Sequence, residues 1–522
     1  MRGIYFTTFL LLLLCCKSND STKTSAINSL ELKRGEVISC GPQEGEIFGT
    51  VAFSATVPST LQKDFNTAIA LLHSFEYDEA EKMFAKIIDE APDCAMAYWG
   101  VAMSNFHPLW VPPSSPELQK GIQAIQIARS IKQKTIRETD YIEATAQFFA
   151  NAEQADHRSR VLNFEKAMES VYKTYPDDRE AAIFYALALN AAADPADKTY
   201  ARQRKAFSIL NPIFQLEPLH PGIVHYLIHS YDYPELSELA LPAARKYATI
   251  APASAHAQHM PSHIFTNLGL WDECIQSNLV SVSAAKCYAE KAKINGHWDE
   301  ELHGMDYLVY AYLQKKENAL AKQQLDYLQT INEVYPVNFK VAYAFAAIPS
   351  RYALERKDWE QAAELKMHPV NFPWDKFPWQ EAIFHFAKLL GNIHLNKIEP
   401  AEKELDILRS LYTKLNKEKN KALEAAQVAV QIQASEAWIE HKKGNNNKAL
   451  ELMNAAATSE DATEKHPVTP GPVIPARELL GEMLLEMNQA SLAVMAFEQA
   501  LKLRPNRHNA LLGLKAAEEK AN

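Results

Sequence analysis

Apolar positions recur three and four residues apart along almost the whole chain, as in Ala401 to Leu415 and Ala422 to His441. That period returns each apolar side chain to one side of an α-helix, so the pattern predicts amphipathic helices nearly throughout. A longer regularity is laid over it. A small residue is followed four positions on by a packing residue and eight later by a helix-ending proline: Ala80, Phe84, Pro92; Ala206, Leu210, Pro218; Ala240, Ala244, Pro252; Ala493, Phe497, Pro505. Pro218 and Pro252 stand 34 residues apart, so those two units are contiguous, and one further step puts Cys274 and Asn278 in the same slots. One such helix pair cannot bury its apolar face alone, but stacked copies can. The expected fold is an all-α solenoid of helical hairpins.

A 34-residue helix–turn–helix unit with these slots has the period of the tetratricopeptide (TPR) repeat, so the solenoid is expected to be a TPR-like superhelix. The strings LLHSFEYDEA, CAMAYWGVAMS, HYLIHSYDYP, HAQHMPSHIFTNLGLWDE, HGMDYLVYAYLQ and PGPVIPARELLGEMLLE also resemble a family of bacterial TPR proteins of this size, over about residues 50 to 515. The resemblance implies the fold and carries no particular reaction or ligand.

The regularity is interrupted in several places. Residues 16–58 read as a tether followed by an irregular segment; helical repeats occupy 59–320 and 321–464, and 476–522 hold the most regular repeat. Between the last two, Lys465 to Pro475 carries four prolines and is a non-helical connection. With the Pro-aromatic segments His107 to Pro116 and Asn371 to Trp379, it is either a plain loop or a wall folded over the concave face. Lys291 to Asp299 reads as an insertion. Pro242 and Pro261 each remove a backbone donor inside a projected helix and kink or interrupt it; alternatively Pro261 begins a shortened helix, leaving His256 and His259 ahead of it.

The N-terminus changes the picture of where the chain works. Arg2, the apolar run Ile4 to Leu14 and Leu13-Leu14-Cys15-Cys16 resemble a lipoprotein signal peptide of residues 1–15, with lipidation at Cys16. The expectation is an exported bacterial cell-envelope lipoprotein, periplasmic or outer-membrane-anchored, held to the membrane by its acyl chains. Cys40, Cys94, Cys274 and Cys287 then remain, too few for a disulfide framework. A net charge of −10 without a basic run argues against nucleic acid. With 16 glycines and no GxGxxG or GxxxxGK[ST] loop, nucleotide binding has no support either.

Candidate chemistry gathers in one window. Six of the 17 histidines lie between His220 and His263, and His225/His229 and His259/His263 are two i, i+4 pairs 34 residues apart. Each pair shares one helix face, and both fall on first-helix slots that line the groove of a TPR superhelix. His256, His303, Asp306 and Asp232 project toward the same stretch, with His220 nearby. Two imidazoles on one helix turn chelate a single ion, so His225, His229, His259 and His263 are the expected ligands of a divalent transition metal (Zn, Fe or Mn). His256, His303, Asp306, Asp232 and His220 are expected as further ligands or as groups orienting them. The pairs lack the glutamate of HExxH, which disfavours a zincin mechanism. His73 and His107 form a weaker polar patch, and Arg137, Arg158 and Arg351 are either groove charges for an anion or inter-helix ion pairs.

Two functions follow. One is a histidine-lined metal pocket, with an open coordination position for hydrolytic or oxidative chemistry on a small ligand. The other is a non-catalytic TPR scaffold holding an envelope peptide or protein in an open groove.

Overall fold

Residues 27, 29–41, 47–109 and 112–521 are described by the computed structural model; the expected signal peptide and Cys16 lie outside them. Helices follow one another along the described residues, where the one strand pairing is a two-residue parallel bridge of His297–Trp298 with Val334–Tyr335. No helix there is long and apolar enough to cross a membrane. The chain is an all-α solenoid of helical hairpins. The expected slots are closed: Ala80, Ala206, Ala240, Cys274, Ala321 and Ala493 are fully buried, and so are Phe84, Leu210 and Asn278. Gly481 shows how closely the paired helices approach, since a Cβ there would lie 2.6 Å from the Phe497 ring.

Each helix packs on its neighbour in sequence, and the first helices of successive hairpins also touch. Gln62–His73 meets Ala95–Ser104, Arg179–Ala191 meets Pro221–Ser230, and Asp299–Gln314 meets Phe339–Glu355. This inner row and its outer partners are buried differently. Asn318–Leu328, an outer helix, buries only the stripe Ala321, Leu325 and Leu328. Ala95–Ser104 and Asp299–Gln314, both inner, are buried at every residue.

Inner helices are buried all round because the solenoid curls onto itself and its concave side is filled by its own chain. Gln62–His73 touches Pro221–Ser230 across the curl, and Asp299–Gln314 touches the last helix, His508–Ala521. Arg507 fastens that C-terminal hairpin from inside, donating to Glu355 Oε1 (2.6 Å), Glu478 Oε2 (3.0 Å) and the Tyr310 hydroxyl (2.7 Å). The proline-rich connection folds into the concavity: Tyr307 donates to the carbonyl of Val468 (3.1 Å), and Tyr343 and Arg351 both donate to that of Gly471 (2.8 and 3.0 Å). Gly471 sits at φ 131°, a conformation open to glycine and closed to other residues.

The N-terminal segment is fastened to the hairpins as well. Cys40 is disulfide-bonded to Cys287 across 247 residues, which ties the segment to helix Trp271–Lys291. Backbone bonds Ala253 N to Ile47 O (3.1 Å) and Thr50 N to Leu219 O (2.9 Å) hold it along the histidine-bearing hairpins.

The prolines resolve in two ways. The helix breaks at Met260, and Pro261 opens a separate helix, Pro261–Asn267, where its missing N–H costs nothing. His256 and His259 thereby sit on their own short helix, Ala255–His259. Helix Ser237–Ile250 is not interrupted: it runs through Pro242.

Candidate metal centre

The histidines converge as two triads. The first is His225 and His229 from Pro221–Ser230 with His256 from Ala255–His259; the second is His259 from that same short helix, His263 from Pro261–Asn267 and His303 from Asp299–Gln314. In each triad the ring nitrogens lie within 4.8 Å of one another. The four histidines of the two i, i+4 pairs therefore do not meet at one point; each pair takes its third member from another helix.

Hydrogen bonds on the far side of the rings fix the tautomers. His225 Nδ1 lies 2.6 Å from the carbonyl oxygen of His73, which can only accept, so Nδ1 carries the proton and Nε2 the lone pair. His229 Nε2 and His256 Nε2 face that lone pair at 3.0 and 3.2 Å, and it can accept from one of them, not both. In the second triad His259 Nδ1 donates to Asn278 Oδ1 (2.7 Å), whose amide is oriented by its own bond to Cys274 O (2.8 Å). His263 Nδ1 donates to Asp232 Oδ2 (2.9 Å). Both remaining nitrogens are left as acceptors and face each other at 3.1 Å, with the Tyr307 hydroxyl, which donates to Val468, 3.4 Å from His263 Nε2.

Two lone pairs aimed at each other in a buried site are unfavourable unless a cation lies between them. A proton is a poor candidate here. Burial, reinforced by neighbouring histidines, pushes His225, His229, His263 and His303 well below the ordinary imidazole value, and burial takes His259 down to about 4. A metal ion meets no such penalty from neutral imidazoles. Donation of the second ring N–H to a carbonyl, an amide or a carboxylate is the support that metal-bound histidines have.

A third group shows the contrasting arrangement. His73 Nε2 and His220 Nε2 lie 3.0 and 2.8 Å from the two oxygens of Glu180, and His73 Nδ1 is 2.9 Å from the Tyr226 hydroxyl. These are nitrogen-to-oxygen contacts between complementary groups, and they need no ion.

The remaining expected residues fall into place around the triads. Asp232 supports His263 and also accepts from Asn267 (2.9 Å) and from Lys465 of the proline-rich connection (2.8 Å). Asp306 is turned to Arg351, and Arg137 pairs with Asp178, so both arginines are inter-helix partners. His220 belongs with Glu180, and His107 stacks on Tyr77. Phe75 closes the first triad, its ring 4.4 Å from that of His225 and 5.8 Å from those of His229 and His256.

Glu300 and Asn278 escaped the sequence reading as site residues. Glu300 lies in the run Asp299-Glu300-Glu301, which reads as the solvated start of a helix yet is buried throughout. Asn278 did carry a signal, because it is a polar residue in a slot that the repeat otherwise fills with apolar side chains.

No protein-family profile matches the chain, and no curated protein does. Among solved structures it is similar to the TPR domain of P58(IPK), at 12% identity over 89% of this chain and 98% of that one, with a TM-score of 0.19. It is also similar to the structure of Naa15/Naa10 bound to HypK-THB, at 11% identity over 88% and 96% of the two chains, with a TM-score of 0.18. Likeness at that level carries no argument, and the fold rests on the helices themselves.

Proposed function

We propose that this chain is a metalloprotein whose curled solenoid encloses two transition-metal sites, His225–His229–His256 and His259–His263–His303. The observation that carries the reading is the approach of His259 Nε2 to His263 Nε2 at 3.1 Å with both Nδ1 protons committed elsewhere. Three imidazoles leave coordination positions open for a small ligand on each ion. An all-nitrogen donor set suits Zn, Cu, Fe or Ni better than Mn, which prefers oxygen. The rival, a peptide-holding groove, wants open inner faces, whereas residues of the proline-rich connection 465–475 bond to Tyr307, Tyr343 and Arg351 of the inner helices. Export as a lipoprotein through Cys16 is part of the same proposal. Its support is the apolar N-terminal run and a disulfide, Cys40–Cys287, of the sort that persists in oxidising compartments.

Elemental analysis of the protein purified without a metal-affinity tag tests the reading directly. About two ions per chain are expected, and none in the His225→Ala/His263→Ala double variant, with circular dichroism confirming that both fold. A folded wild-type chain that takes up no Zn, Cu or anaerobic Fe(II) would sink it.

Orientation of the ligands gives a finer prediction. Asp232→Asn withdraws the carboxylate that holds His263 and leaves Lys465 without its buried partner. Affinity at the second triad is expected to fall about 10- to 100-fold, as for other groups that orient metal-bound histidines. Competition against a chromophoric chelator measures it, and an unchanged affinity would remove Asp232 from the site.

A further inference from the structure

An imidazole that binds an ion through Nε2 keeps its one proton on Nδ1, and a buried N–H needs an acceptor. His225 has the carbonyl of His73, His259 the amide oxygen of Asn278 and His263 the carboxylate of Asp232. His256 turns Nε2 toward Nε2 of His225, at 3.2 Å. Behind its ring, on the Nδ1 side, stands Glu300, with Oε2 3.9 Å from Nδ1. That is too long for a hydrogen bond, and Oε2 is buried with no hydrogen-bond partner among the described residues. A buried carboxylate oxygen left unpaired is costly, so its position calls for a reason.

The second triad contains the completed version of this arrangement. Asp232 accepts from Nδ1 of His263 at 2.9 Å and is paired with Lys465 at 2.8 Å. Glu300 has neighbours of the same kind: a triad imidazole beside one oxygen and a lysine, Lys340, on the other. Lys340 also pairs with Asp299 at 2.8 Å, so it stays anchored whatever Glu300 does. What differs is the hydrogen bond not made at His256, and the tautomer accounts for it. While His256 donates from Nε2 to the lone pair of His225 Nε2, its Nδ1 holds a lone pair of its own, and two acceptors keep apart.

We propose that Glu300 is the positioning carboxylate of the first metal site. An ion on Nε2 of His256 puts the ring proton on Nδ1, and Glu300 Oε2 closes by about 1 Å to accept it. The proton changes nitrogen on one ring, and none is lost. This deepens the metal-binding reading above and rests on it. Each ion then has one imidazole backed by a carboxylate–lysine pair: His256 by Glu300 and Lys340, His263 by Asp232 and Lys465. Such backing fixes the ring and strengthens it as a donor.

The test measures Zn(II) affinity of the full chain against a chromophoric chelator, one triad at a time. His263→Ala isolates the first triad and His225→Ala the second. Glu300→Gln, of nearly the same size, should weaken the first about 10- to 100-fold and leave the second unchanged. With Co(II) in the first triad, the same variant should shift the visible absorption bands. Glu300 is three residues before His303 on helix Asp299–Gln314, so a residue that only packs that helix would move the second triad too. Glu300→Asp keeps a partner for Lys340 while drawing the carboxylate away from Nδ1, and should show the same selective loss if the Gln variant does not fold. Equal losses at both triads, or no loss at the first, would overturn the role of Glu300 and leave metal binding standing. A wild-type chain that binds no Zn(II) would overturn both this inference and the reading beneath it.

Discussion

Metal should raise the stability of this chain by several kilocalories per mole, and the rise should vanish when one histidine of each triad is replaced. An ion that binds only the folded state stabilises it by RT ln(1 + [M]/Kd), about 4 kcal/mol at a free concentration of 1,000 times Kd. The unfolded chain competes weakly, because the ligands of each triad come from separate segments spanning residues 225 to 303. The metal-free site contributes to the same difference. His259 Nε2 and His263 Nε2 confront each other at 3.1 Å without a proton between them, so the empty site is strained where the loaded one is relieved. That gives the prediction a second arm. Replacing a buried, hydrogen-bonded histidine normally destabilises, yet His263→Phe should cost the metal-free protein little, since Asp232 keeps Lys465 and Asn267. The same variant should lose the metal-dependent gain at its triad. Denaturant titrations of wild type and variant, with and without metal, measure both arms. A large loss in the metal-free variant would show that His263 is held for packing, not for an ion.

The fold was legible because its slots are periodic. Ala80, Ala206, Ala240 and Ala493 were identified from spacing alone, and all are fully buried. The i, i+4 pairs were legible for the same reason, since one helix turn fixes which side chains stand together, as His225 with His229 at 3.0 Å. Convergence between helices was not. The 34-residue spacing suggests that equivalent histidines of successive repeats share a point, but helix axes pack about 8–10 Å apart. Ligands of one ion must come closer than that, so each pair draws its third imidazole from a side chain reaching across: His256 for the first, His303 for the second. His256 can do so because Pro261 ends one helix and starts another, an alternative open in the sequence that only the folded chain decides. Glu300 was invisible for a different reason. Nothing local distinguishes a buried acidic helix start from a solvated one; the difference lies in Lys340, 40 residues away.

Acid should unfold the protein well before most of its carboxylates are protonated, whether or not metal is present. The groups responsible belong to neither triad. Burial lowers His394 to about 4, where its ring stacks 3.9 Å from that of Trp359, and lowers His466 to about 3, against Trp379. An unfolded histidine titrates near 6.5. Above that pH these two are neutral in both states and stability does not depend on them. Between 6.5 and their folded values the unfolded chain binds protons that the native chain refuses, so stability falls as pH falls. Below about 3 both states are protonated and their contribution levels off. A depression of that size corresponds to about 3 kcal/mol for His394 and somewhat more for His466 as upper values, a large share of the 5–15 kcal/mol typical of folded proteins. Glu76 works the other way: burial raises it to about 8, so it favours folding as pH falls from 8 toward 4.5. The expected result in denaturant titrations is a rise in stability from pH 8 to 6.5, where Glu76 takes up its proton in the native state first, and a net loss from 6 to 4, where the two histidines outweigh it. His394→Phe preserves the stack on Trp359 and removes the titrating group, so it should flatten that loss by about 3 kcal/mol without altering stability at pH 8. An equally steep loss in the variant would mean that His394 is hydrated in solution and takes its proton freely.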